Sequence, residues 1–246
     1  TKYGGFLLKI QLDLVEAIIG PQKSLKKAAK TGKIKGKNFR GSNDEMEKAK
    51  LNELRAQLTI ARQQGTLIEV HNIPHDEYFN VGFVVAIDPT FCLMISIDWD
   101  GKINGLIVIR ISSIDKIESN TDYLLTISEK TKVAHRHDYF DLWHVQQFID
   151  DHPDFSRGDL LNNALNDSYT HRLPVVVGTR KYKGADDFTG LIANRDRIKL
   201  DLHYFNERDL SSLWSYEILL AKIDYVRVRG TQAATGQQIM RDLFQN

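Results

Sequence analysis

The segment GFVVAID at Gly82–Asp88 returns 108 positions later as GLIANRD at Gly190–Asp196. The spacing around it returns too, with single-residue adjustments. Leu67 lies 15 residues before Gly82 and Val175 lies 15 before Gly190. Leu93 and Ile95 fall on Leu200 and Leu202, and the IDKI at Ile114 falls on the IDYV at Ile223. Self-similarity at a fixed interval is the mark of a structural unit used more than once, here one of about 75 residues.

Each copy reads as one helix and then five short strands. SNDEMEKAKLNELRAQLTIARQQG, from Ser42 to Gly65, offers a cap at Ser42 or Asn43, acids in the first turn and a glycine stop. Met46, Leu51, Leu54, Leu58 and Ala61 make its apolar stripe. From Thr66 to Glu118 the period changes to two, and LIEV, NVGFVVAI, FCLMISI, GLIVIRI and IDKIE read as strands separated by turn-forming residues. The second copy enters at SRGDLLNNALNDS, with Ser156 as cap and Leu160, Leu161, Ala164 and Leu165 as stripe. LPVVVG, DFTGLIANR, IKLDLHYF, WSYEILLA and IDYVRVRG follow. A glycine early in the second strand suits a bent strand that must do without a side chain where the sheet folds over itself. Five strands closing on themselves would also remove exposed edges.

The expected organisation is an N-terminal segment and basic arm (1–41), a first unit (42–120), a helical connector (121–155), a second unit (156–232) and a C-terminal tail (233–246). Within the connector, DYFDLWHVQQFIDDHP reads as helical.

A helix and five strands, with G-x-V-x-x-x-D in the second strand, I-R closing the fourth and I-x-x-I in the fifth, resembles the Sm-like (LSm) fold. The match runs through Gly82, Val84, Asp88, Ile109, Arg110, Ile114 and Ile117, and again through Gly190, Ile192, Asp196, Ile223 and Val226. The resemblance implies a mainly β chain with helices: two tandem five-stranded small barrels, each preceded by a helix. It also implies RNA bases held shortly after the Asp, usually by an Asn, and by the Arg at the turn between the last two strands. This sequence departs from that pattern: Cys92 stands four after Asp88, no Asn follows Asp196 in the corresponding strand, and Leu219 or Leu220 stands where the second Arg would be.

Charge divides the chain sharply. Lys23, Lys26, Lys27, Lys30, Lys33, Lys35, Lys37 and Arg40 fall in one stretch free of Asp and Glu, so taking these eight from a net charge of +1 leaves −7 on the remainder. An acidic body with a basic arm suits phosphate contact without base reading, while a solvated linker or an arm folded onto the body accounts for the same residues. A single cysteine, Cys92, rules out an internal disulfide and suits a reducing cytoplasm. The apolar N-terminal run is broken by Lys9, Asp13 and Glu16, and reads as neither a spanning helix nor a signal peptide, so no membrane partner is expected.

Catalytic chemistry finds little purchase. No phosphate-binding glycine loop, dinucleotide fingerprint, CxxC pair or Ser-His-Asp order is present. Asp98, Asp100 and Asp115 could suggest paired carboxylates, but WDGKIN is a hairpin turn by composition and its Asp-Gly pair explains Asp100 without catalysis. His137, Asp141 and His144 would share a helix face at metal-ligand spacing, but a polar face beside a buried Phe140 and Trp143 is the favoured explanation, since no general base, nucleophile or second ligand group stands nearby in sequence. His71 and His75 flank a Pro-containing loop that does not fix their separation. Trp99 and Trp214 lie in or beside loops, as partner anchors or as core.

The expectation is therefore a non-catalytic binding protein with no cofactor and no assigned metal. Its arm and Arg110 would contact RNA or a ribonucleoprotein, the alternative being a protein-interaction adaptor. Oligomerisation is left open.

Overall fold

Helix α1 (Gly41–Gln64) ends at Gly65, whose φ of 62° lets the chain turn where a side chain would be strained. Leu54, Leu58 and Ala61 on its inner face are buried, whereas Met46 at the outer end of the expected stripe is 69% exposed. The computed structural model describes residues 41–72, 79–182, 185–204 and 214–244, and the arm from Lys23 to Arg40 lies outside them.

The first five strands are β1 (Ile68–His71), β2 (Asn80–Ile87), β3 (Phe91–Ile97), β4 (Ile103–Arg110) and β5 (Lys116–Glu118). Helices α2 (Asp122–Arg136), α3 (Val145–Asp151) and α4 (Leu160–His171) follow. Then come β6 (Val175–Tyr182), β7 (Ala185–Arg195), β8 (Lys199–Tyr204), β9 (Ser215–Leu219) and β10 (Ile223–Val228), and α5 (Thr231–Phe244) closes the described chain.

The strands form one ten-stranded sheet in the order β5-β1-β2-β3-β4-β10-β6-β7-β8-β9, with every pair antiparallel. This corrects the expectation of two closed Sm-like barrels. Closing the first would require β4 to reach β5. Instead β4 gives its free edge to β10, with Ile109, Val108, Ile107 and Leu106 opposite Tyr225, Val226, Arg227 and Val228. The sheet stays open, β5 and β9 are its ends, and the expected removal of edges does not occur. The chain is a mixed α/β structure in which one apolar cluster draws on both strand runs, through Leu93, Ile95 and Val108 from the first and Val177, Leu200 and Val226 from the second.

The repeated glycines mark close approach between neighbouring strands of the open sheet, not a point where a barrel folds over itself. A Cβ on Gly82 would sit 2.1 Å from the carbonyl oxygen of Ile95, and one on Gly190 would sit 2.2 Å from that of His203. The neighbouring strand occupies the space of the missing side chain in both places. A register shift follows at the same point in each run, between Val84 and Ala86 and between Ile192 and Asn194, bending the strand.

The connecting elements differ from the sequence reading in three ways. Helix α2 is capped by the Thr121 side chain, which accepts from the Leu124 N–H, and it precedes the segment expected to be helical. The chain from His137 to His144 is turn, with left-handed residues at Asp138 and His144. Helix α4 is capped by Asp159, which accepts from the Asn162 N–H, and not by Ser156. The expected C-terminal tail is largely α5.

Candidate functional site

The repeated aspartates close tight turns. Asp88 Oδ1 accepts from the N–H groups of Thr90 and Phe91, both at 2.6 Å, and its Oδ2 accepts from the Leu160 N–H at the start of α4, at 3.0 Å. Asp196 Oδ1 accepts from Ile198 and Lys199, at 2.6 and 2.8 Å. These backbone donors hold the Asp196 carboxyl below its ordinary range. Cys92, at the position where the resemblance would place a base-holding Asn, is fully buried in the core, and burial pushes its thiol up to about 12. An un-ionised thiol in that setting is a small apolar filler.

Arg110 sits at the junction of the two strand runs. Its Nε donates to the Ile223 carbonyl at 2.7 Å and a terminal nitrogen donates to the Leu220 carbonyl at 3.1 Å. The guanidinium also lies 4.6 Å from the centre of the Phe91 ring. Half-burial lowers its pKa, which the charge of Asp224 partly offsets. Beside it, Ser113 Oγ donates to the Arg110 carbonyl at 2.7 Å. In this arrangement the side chain ties β4 to the turn before β10.

Other candidates resolve into local structure. Asp98 Oδ1 accepts from the N–H groups of Asp100 and Lys102, which makes the expected hairpin turn. Asp141 caps α3 by accepting from the Val145 and Gln146 N–H groups at 2.8 and 2.9 Å, so it does not stand on one helix face with His137 and His144. Trp99 is 69% exposed at its hairpin, with the Lys130 ammonium 5.2 Å from its ring centre. Trp214 is 45% exposed and stacks on Tyr204, with centroids 4.7 Å apart.

One cluster was not assembled by sequence reasoning. Glu69 and His71 alternate onto one face of β1, and the register places Glu118 of β5 directly opposite Glu69 and Lys116 opposite His71. Glu69 and His71 are both buried. The His71 Nε2 lies 3.1 Å from Glu118 Oε2 and 3.6 Å from Glu69 Oε2, and Lys116 Nζ lies 2.8 Å from Glu118 Oε2. Lys116 first, with His71 behind it, holds the exposed Glu118 carboxyl below its ordinary range. The available signal was the Glu-x-His alternation in a predicted strand, whereas Glu118 is brought in only by pairing.

No helix among the described residues is long and apolar enough to cross a membrane. Compared with known proteins, the chain matches no family model, no curated protein and no solved structure.

Proposed function

We propose that this is a non-catalytic binding protein. The ten-stranded sheet acts as a rigid scaffold, and Lys23, Lys26, Lys27, Lys30, Lys33, Lys35, Lys37 and Arg40 contact the phosphates of RNA or of a ribonucleoprotein. The observation that carries this reading is the segregation of charge, eight basic residues in one acid-free stretch against −7 on the rest. An acidic body repels a polyanion, so affinity would be concentrated in the arm and would be electrostatic in kind. Arg110, engaged with two backbone carbonyls, enters this reading as a junction residue whose effect on RNA would pass through the scaffold.

The test is RNA binding by the full chain and by a variant lacking residues 21–40, across a salt series. Engagement of all eight charges would give a log–log salt slope of about −5 to −6 for single-stranded RNA, and removing the arm should flatten it. Absence of binding at low salt, or an unchanged slope without the arm, would sink the proposal. A protein-interaction adaptor is then the second reading, favoured by the exposed Trp99 on the acidic body, since a solvent-facing indole is the residue type on which interfaces anchor. Its mark would be a purified partner whose affinity falls when Trp99 is replaced by Ala.

A further inference from the structure

Two glutamates placed directly opposite each other on adjacent antiparallel strands repel, and burying one of them raises the cost. Glu69 and Glu118 are such a pair, and the Glu69 side chain is only 5% exposed. The arrangement calls for positive charge near the carboxylates, and Lys116 supplies one unit beside Glu118, with Nζ 2.8 Å from Oε2. Beside them stands His71, its side chain 9% exposed, with Nε2 3.1 Å from Glu118 Oε2 and 3.6 Å from Glu69 Oε2 but aligned for a hydrogen bond with neither.

We infer that Glu69, His71 and Glu118 form a binding site for a divalent transition-metal ion, with zinc as the best-fitting class. One imidazole nitrogen and two carboxylates are a borderline donor set that suits zinc better than calcium or magnesium, which take all-oxygen shells. The spacing agrees. Ligand atoms bound at zinc distances in a tetrahedral shell stand about 3.3 Å apart, and here the Nε2 to carboxylate separations are 3.1 and 3.6 Å, with all three ligand atoms within 4.8 Å of one another.

A second layer is in place as well. Thr121, the cap of α2, donates its hydroxyl to Glu69 Oε1 and so leaves Oε2 turned toward His71. Phe79 lies against the imidazole with ring centroids 4.9 Å apart and restricts its rotation. The two carboxylates carry negative charge that a dication would neutralise, with Nε2 of His71 as the nitrogen donor. Glu118, 41% exposed, opens the site to solvent, which leaves room for water as a fourth ligand and a route for exchange. Lys116, itself 54% exposed, is the competing cation and can swing outward when the ion enters.

The experiment uses the full chain, stripped with a chelator, titrated with Zn2+ by calorimetry and with Co2+ by visible absorption. The expected result is one ion per chain. His71→Ala should weaken Zn2+ by more than ~10-fold, as should Glu118→Gln, an exposed substitution whose fold is verified by thermal melting. Lys116→Gln should tighten binding, because it removes the competitor while taking no ligand away. Failure of the parent chain to bind zinc stoichiometrically would overturn the inference. So would binding that His71→Ala and Glu118→Gln leave unchanged, which would place the ion on other residues.

Discussion

The two strand runs follow the same order and shift register at the same point beyond their glycines, yet they are buried differently. In β3 every residue but Ser96 is buried, whereas in β8 only Leu200 and Leu202 are, with Lys199, Asp201 and Tyr204 partly exposed and His203 exposed. The cause lies outside the strands. Helix α1 covers one face of the first run, where Leu54, Leu58 and Ala61 pack on Ile68, Val84, Met94, Ile107 and Ile109, and among the described residues the second run contributes only Tyr225 to that cluster. A strand covered on both faces can be apolar throughout, while one covered on a single face must alternate. FCLMISI and KLDLHY record that difference in their composition.

The largest expected effect tests whether the close approach at each glycine is equally rigid on both sides. Gly82→Val drives a side chain into the Ile95 carbonyl of β3, a strand held between β2 and β4, and should cost ~4 kcal/mol in denaturant unfolding. Gly190→Val makes the same collision with His203, but β8 has only β9 beyond it and can move outward, so ~2 kcal/mol is expected. Equal costs would mean that position in the sheet does not matter here. Next in size, Leu58→Ala should cost ~3 kcal/mol, because Leu58 is fully buried in the cluster that distinguishes the first run. A loss below ~1 kcal/mol would show that α1 rests on the sheet without holding it.

These differences bear on what the sequence could disclose. Alternating apolar residues specify which way a side chain faces, so the ten strands were legible, as were α1 and the repeated glycines. They do not specify which strand lies alongside. β5 and β10 both present short apolar runs, and either could satisfy the free edge of β4. The outcome depends on long-range pairing such as Val108 with Val226, which no local pattern encodes. Helix α2 was hidden because only Leu124, Ile127 and Ala134 of its residues are buried, too sparse a stripe to read. The Glu69–His71–Glu118 cluster was hidden for the same reason as the sheet order, since its third member arrives through the β1–β5 register.

The junction between the runs offers a finer break. Arg110→Met keeps the contact with Phe91 but removes the donors to Ile223 and Leu220, and should cost ~2 kcal/mol in unfolding, with RNA affinity per folded molecule unchanged. A normally stable Arg110→Met protein that loses RNA affinity would return the side chain to a contact role. Arg110→Lys should recover little, since one ammonium cannot reach both carbonyls with the geometry of the fork.

The smallest effect separates the two turn aspartates. Asp196 is held below the ordinary carboxylate range by the N–H groups of Ile198 and Lys199, so its contribution to stability is fully present above the unfolded value of 3.8 and is lost as pH falls through the lower folded value. Asp196→Asn should therefore lower the melting temperature slightly at neutral pH, and the gap to the parent should close in strong acid. Asp88 closes the matching turn, but its second oxygen also accepts the Leu160 N–H, tying the first strand run to the helix that enters the second. Asp88→Asn should accordingly cost more than Asp196→Asn at neutral pH, because it weakens a turn and a helix N-terminus together. Melting both variants side by side at neutral pH decides the matter. Equal shifts would mean that the Leu160 contact adds nothing, and that the two turns, unlike the faces of the strands they join, are interchangeable.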